Sequence, residues 1–348
     1  MKKLILLLFI PFVFACSSDS SDDNTDDTVP VDDTNPVYLD TNGVTIKARD
    51  WAVPGDAGII NGITYTVVSG ETLVNMITNQ EDLSRICTTR IIDMGGIGGN
   101  GIAINSSDIS SWDVSNVTSM YWLFYGSGNE SDLSNWDVSN VTVLSRIFRN
   151  SAFKGDVSNW KLHADTQTGN MFQNSNFLGT GVNSWDVSEV ANFQAMFQDS
   201  NFNQDISSWD TSSATNMSHM FSYNSEFNQD IGSWDVSNVT NMRDMFKFYR
   251  EFNQDISNWD VSNVIDMGYM FYINDTACQG DYIEVDGEMI YAGGFFNQDL
   301  SSWDVSSVTD CAQFSCIVHF CNNSSGPIQE QWVLPKPNFT NCGDANCD

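Results

Sequence analysis

The chain has 348 residues, 45 acidic against 14 basic, and a formal charge of -31 at neutral pH. Such a carboxylate surplus cannot displace counterions from phosphates, which excludes nucleic acid as a partner, and it disfavours anionic lipid headgroups. With 41% hydrophobic residues and 11 tryptophans there is apolar surface for a sizeable core.

At the N-terminus, Lys2 and Lys3 precede an apolar run from Leu4 to Phe14. That is the layout of a secretory signal over 1–15, too short to span a membrane as a retained helix. Val13-Phe14-Ala15-Cys16 resembles the lipobox of bacterial lipoproteins, which implies Cys16 as the lipid attachment site. An ordinary signal followed by a stray cysteine is the alternative. Residues 16–36 are dominated by Ser, Asp, Asn and Thr and bury too little to offset the entropy of ordering, so they read as a disordered acidic tether. An acidic run behind such a cysteine also resembles the surface-export signal of some diderm bacteria. Together these features imply an outer-membrane or cell-surface protein that meets the membrane only through its lipid.

Residues 37–81 read as a capping module. Gly43-Val-Thr-Ile-Lys47 and Ile63-Thr-Tyr-Thr-Val-Val68 alternate like strands, Asn61-Gly62 is a turn signal, and Glu71 to Asn79 is helical in pattern. Its expected role is to cover the open first edge of the periodic segment that starts at Asp82.

From Asp82 the chain is periodic. Trp112, Trp136, Trp160, Trp185, Trp209, Trp234 and Trp259 recur at steps of 24 or 25, and Trp303 comes after 44. Twelve residues after each of the first seven stands Phe124, Phe148, Phe172, Phe197, Phe221, Phe246 and Phe271. Asp82 to Met94 aligns with Asp255 to Met267, with Ile86 in the tryptophan place, which makes a worn first unit and about nine in all over 82–310. Units this short cannot hide their own apolar face and need neighbours on both sides. Val239, Met242, Met245 and Phe246 are three or four apart, which predicts a short helix capped by Ser237. The preceding Gln229 to Val236 predicts a short strand. The unit of Trp160 replaces its central Val and Met with Lys161 to Asn170, so an irregularity is expected there.

The run Asp255-Ile-Ser-Asn-Trp-Asp-Val-Ser-Asn-Val264, with its relatives from about Asp82 to Cys311, resembles the bacterial surface repeats called BspA-like leucine-rich repeats. The expected fold is an α/β solenoid, a leucine-rich-repeat-like stack of short parallel strands and short helices between a strand/helix N-terminal cap and a Cys-rich C-terminal cap. The family resemblance also implies adhesion.

An insertion at 272–294 interrupts the period and carries Cys278, Asp281, Glu284, Asp286 and Glu288; Asp286-Gly287 between strand-like segments predicts a hairpin. Residues 311–348 form the other cap. For an exported chain, Cys278, Cys311, Cys316, Cys321, Cys342 and Cys347 read as disulfide partners with fifteen possible pairings, and Cys87 as free.

His163, His219 and His319 lie in no nucleophile or metal motif, so no enzyme is expected. Asp205, Asp230, Asp255 and Asp299 form one column and Asp210, Asp235, Asp260 and Asp304 another; they are the candidate ligand or cation sites, with Ca²⁺ as the ion. Hydrogen bonds from turn amides are the competing explanation, which Asn203, Asn228 and Asn253 would share. The tryptophan column is expected in the core rather than as a sugar platform. The function expected is a non-enzymatic surface lipoprotein whose repeats bind an extracellular protein or matrix. The alternatives are a glycan-binding surface lipoprotein, or a structural envelope protein.

Overall fold

In the computed structural model, the residues described are 34–98, 103–104, 107–248, 251–275, 282–285, 288–291, 296–315, 317–319 and 335–342. The expected signal, Cys16 and nearly all of the tether therefore lie outside the described residues, as do Cys278, Cys316, Cys321 and Cys347. Asn35–Asp348 holds together as one unit.

Its first part is built from two hairpins and a helix. Strand β1 (Val37–Leu39) pairs antiparallel with β2 (Ile46–Ala48), and β3 (Ala57–Ile60) with β4 (Ile63–Val67). Asn61 and Gly62 join β3 to β4 with φ of 51° and 80°, the double positive φ that a two-residue turn needs to match the twist of its strands. Helix α1 (Gly70–Thr78) begins where the Ser69 hydroxyl accepts from the Thr72 N–H at 3.1 Å, and it buries Leu73 and Ile77. Strand β4 then pairs in parallel with β5 (Ile86–Cys87), so this sheet runs directly into the first repeat.

Beyond β5, successive repeats touch through isolated parallel bridges. Most lie at one repeat position, Asp93 to Ser119 to Val143 to Gln167, then Asn192 to Asn216 to Asn241 to Asp266 to Asp310, with Asp156 to Thr180 and Lys161 to Asp186 joining the units around Trp160. Among the described residues there is no bridge from Gln167 to Asn192. That gap falls in the unit of Trp160, where Thr168 stands in the usual Met place and its hydroxyl donates to the Asn192 carbonyl at 2.6 Å. A 3-10 turn, Val182–Ser184, lies in the next unit.

The short helices expected in each unit are not found among the described residues. In the segment Met242 to Phe248 the chain makes consecutive tight turns. The Met245 N–H donates to the Met242 carbonyl and the Lys247 N–H to that of Asp244, both at 3.2 Å, so bonds span three residues rather than four. The remaining donors point out of the unit: the N–H groups of Met242, Asp244, Phe246 and Phe248 bond the carbonyls of Asp266, Gly268, Met270 and Tyr272 at 2.8 to 3.0 Å. A helix is blocked because Asp244, the third residue of the turn that Met245 closes on Met242, has a φ of 55° in the left-handed region, and Phe248, just past the next turn, has 58°. Both positions recur, the first as Trp122, Arg146, Asn170, Ala195, His219, Asp244 and Tyr269, the second as Gly126, Asn150, Asn174, Asp199, Tyr223 and Phe248. Buried residues three and four apart serve two tight turns as well as a helix. Ser237, expected as a helix cap, instead donates its amide and hydroxyl to Asp235 at 3.0 and 2.6 Å. The expected strand at Gln229 to Val236 is likewise a turn, closed by the Trp234 N–H on the Ile231 carbonyl at 3.1 Å.

The core is a set of aromatic ladders. The phenylalanine column runs from Phe124 through Phe148, Phe172, Phe197, Phe221 and Phe246 to Phe271 with neighbouring ring centres 5.2 to 5.7 Å apart and planes within 15°. The tryptophans stack beside it, as in Trp209 on Trp234 at 6.4 Å and Trp259 on Trp303 at 6.3 Å. Each indole N–H reaches a backbone carbonyl of the unit before: Trp112 that of Leu83, Trp234 that of Ile206 and Trp303 that of Ile256, at 3.0 to 3.2 Å. The tryptophan ring thus has its apolar body and its single donor satisfied in one place. The ladders ignore the insertion: Phe296 stacks on Phe252 at 5.9 Å, and the Met267 N–H bonds the Asp310 carbonyl at 2.8 Å. Within the insertion, β6 (Ile273–Asp275) pairs in parallel with β9 (Ile317–His319), and β7 (Tyr282–Val285) forms a hairpin with β8 (Glu288–Tyr291) whose turn residues lie outside the described set.

At the far end, Cys311 and Cys342 form a disulfide, Phe339 packs on Phe314 at 5.0 Å, and the Leu300 N–H bonds the Pro335 carbonyl. Cys87 is buried and outside any disulfide, and burial pushes its thiol pKa up.

Replacing Trp234 by Ala should cost about 3 to 5 kcal/mol, the range for a buried aromatic, read as a lower denaturant midpoint. An unchanged midpoint would mean that this ring does not hold its neighbours together.

Candidate functional site

The two aspartate columns lie at exposed corners and each makes a local turn. In the first, one carboxylate oxygen of Asp205, Asp230, Asp255 and Asp299 accepts the backbone N–H two residues on, at 2.9 to 3.0 Å. In the second, Asp210, Asp235 and Asp260 accept both the amide and the hydroxyl of the serine two residues on, and Asp304 accepts the amide of Ser306. These bonds hold the carboxyls of Asp205, Asp210, Asp255, Asp260, Asp299 and Asp304 below the ordinary aspartate value. Asp304 pushes the other way on Asp260, and Asp186 on Asp210, so like charges along the column do feel each other. Among the described residues no group of three or more His, Cys, Asp or Glu is arranged to hold a metal ion.

Beside the first column runs an amide ladder. The side-chain oxygen of Asn203 accepts from the Asn228 N–H, Asn228 from Asn253 and Asn253 from Asn297, at 2.8 to 3.1 Å, and Gln229, Gln254 and Gln298 each clamp the same asparagine. From Asn203 to Gln298 this edge is uniform and its recurring polar groups are spent on holding neighbouring units in register, whereas in the earlier units its place is taken by Glu130, Lys154 and exposed Leu178.

The turn face, which carries the left-handed residues, is different because its outward side chains change from unit to unit. At the later units Tyr223, 48% exposed, stacks on Phe248 at 4.4 Å, and Phe248 meets Tyr272 edge-on at 5.6 Å. Lys247 places its ammonium 4.8 Å from the Tyr269 ring centre and 2.6 Å from a carboxylate oxygen of buried Asp244. Arg243 lies 5.1 Å over the Tyr269 ring and bonds Asp310 at 2.9 Å. Burial opposes its charge, but the carboxylates of Asp266, Asp310 and Asp244 prevail and raise its pKa. His219 sits 3.7 Å from Asp244, yet burial dominates and lowers its pKa, so it is neutral at neutral pH. At the earlier units Arg146 donates to the Tyr121 hydroxyl and Asn150 to that of Tyr125, both at 2.7 Å. In the units between, Gln173 bonds Gln198 at 3.1 Å and Asn174 bonds Asn150 at 2.7 Å.

Neither Tyr223 nor Arg243 belongs to an expected site. The signal for them was available: basic and aromatic residues gather just after the buried Met and Phe positions, as Arg146, Arg149, Arg243, Lys247, Tyr269 and Tyr272, in a chain otherwise dominated by acids. Among the described residues no helix is long and apolar enough to cross a membrane.

Because these carboxyls titrate lower in the folded chain than in the unfolded one, the stability they supply is complete above the unfolded aspartate value of about 3.9 and is lost as pH falls through the folded values. The denaturant midpoint should decline gently below about pH 6.5, where the unfolded His219 takes up a proton that burial denies it in the folded chain. It should fall more steeply below about pH 4, the acid limb being shallower once Asp210, Asp260 and Asp304 are replaced by Asn, which keeps the turn acceptor without titrating. Millimolar Ca²⁺ should leave the melting temperature unchanged. A rise with Ca²⁺ that Asn at Asp210, Asp235, Asp260 and Asp304 together abolishes would restore these aspartates as a cation site.

Comparison with known proteins returns one family. Its model matches three stretches, 71–179, 170–285 and 284–333, which together run through the repeats and the insertion. No curated protein and no solved structure matches. Since the matches cover most of the sequence, the chain belongs to the family described as Mycoplasma protein of unknown function, DUF285.

Proposed function

We propose that this chain is a non-enzymatic, exported and lipid-anchored surface protein, a solenoid of BspA-like repeats that binds extracellular protein or matrix. Export and anchoring rest on Lys2 and Lys3, the apolar run and Cys16. The solenoid reading is supported by the parallel bridges and by the aromatic ladders that pass from unit to unit. Binding rests on one observation above all, the turn face. In the later units the amide edge spends its polar groups on neighbouring units, whereas the turn face there changes from unit to unit and leaves rings such as Tyr223 in contact with solvent. Variable side chains on an invariant backbone are what a binding surface needs, and what a purely structural stack does not.

Protease added to intact cells should remove the chain, and beads coated with it should adhere to extracellular matrix. A chain that resists protease until the membrane is permeabilised would refute surface exposure, and beads that fail to adhere would refute binding.

A further inference from the structure

The turn face has a composition and an axial order that point to a particular class of ligand. Its rings are held rigid before any ligand arrives: Tyr121 and Tyr125 through their hydroxyls, and Tyr223 by stacking on Phe248. Rigid aromatic faces bind at low entropic cost, and the tyrosine ring carries a polar tip beside an apolar face. Between the two aromatic ends, Gln173, Asn174, Gln194 and Gln198 offer amide donors and acceptors at half-exposed or exposed positions. The residues keep strict axial register, because the Arg146 N–H bonds the Gly169 carbonyl, that of Asn170 the Gln194 carbonyl, that of His219 the Arg243 carbonyl and that of Asp244 the Gly268 carbonyl.

Charge narrows the class further. The cations of the later units are already matched, Lys247 by Asp244, and Arg243 by Asp244, Asp266 and Asp310, while at the earlier units Arg146 donates to the Tyr121 hydroxyl. No surplus positive charge is left at these later units to recruit a polyanion, and a chain of formal charge -31 repels one. The surface of the later units is rings and neutralised ion pairs, continued by amides toward the earlier units, with neighbouring phenylalanine rings of the core 5.2 to 5.7 Å apart. That advance per unit is close to the length of one pyranose in an extended chain. Sugar C–H faces stack on such rings, and sugar hydroxyls bond such amides.

We infer that the turn face, from Tyr121 to Tyr272, is a track for an uncharged linear polysaccharide lying along the repeat axis. The inference rests on the surface-binding reading above and names the chemistry of its ligand.

The test is titration of the whole chain with uncharged oligosaccharides of graded length, including β-1,4-linked glucose and N-acetylglucosamine series. Heparin serves as a polyanion control, and deglycosylated matrix protein as a protein control. Affinity should rise with oligosaccharide length, change little with salt, and fall at least tenfold in Tyr223→Ala/Tyr269→Ala, whose melting temperature confirms folding, while Asp235→Asn leaves it unchanged. The inference is overturned by a folded chain that binds no uncharged glycan at any length, by a preference for heparin, or by equal affinity in the double variant. Binding of deglycosylated matrix protein alone would sink the polysaccharide track yet leave the adhesive role standing, whereas silence toward every probe would remove both.

Discussion

The structure depends on how a unit of 24 or 25 residues disposes of its backbone polar groups without forming a helix or a long strand. A buried amide without a partner costs as much as a lost hydrogen bond, so each unit must find partners outside itself. At the turn face it does so by alternation. One donor closes a tight turn within the unit, and the next reaches the adjoining unit, as Met245 and Phe246 do. The left-handed residues make that alternation possible. For a non-glycine residue such a conformation costs about 1 kcal/mol, and each of these residues offsets it with an inter-unit bond, as His219 does to Arg243.

The same logic governs the side chains. The indole N–H of Trp234 bonds the Ile206 carbonyl, the oxygen of Asn228 serves the Asn253 amide, and Asp235 satisfies Ser237. The residues that recur are thus accounted for by the demands of stacking or turn closure. The recurring chemistry of the repeat therefore belongs to the scaffold.

Much of this was legible in the sequence. The period located the buried tryptophans and phenylalanines, Asn61-Gly62 announced its turn, and the loss of the usual Val and Met after Trp160 foretold the break in the bridges, among the described residues, between Gln167 and Asn192. The helices were misread because a spacing of three and four does not distinguish a helix from two tight turns. Only the φ angles do, and positions filled by Trp122, Arg146, Ala195 and Tyr269 carry no glycine to betray them. The turn face escaped notice for a related reason: a search for recurring letters finds what repeats, and this face is defined by what does not. The Cys311–Cys342 pairing was beyond reach, since loop lengths alone do not choose among fifteen arrangements.

The forward-pointing amides of the turn face have one more consequence. In each such peptide the carbonyl looks back along the array and the N–H looks ahead: Asp244 to Gly268, then Tyr269 to Ala312. Aligned peptides add their dipoles, as they do in a helix, so this side of the array has an electrical direction, with its positive pole toward the unit of Cys311. The two poles are therefore not interchangeable, and a segment closing the positive one has to offer oxygen atoms rather than amides.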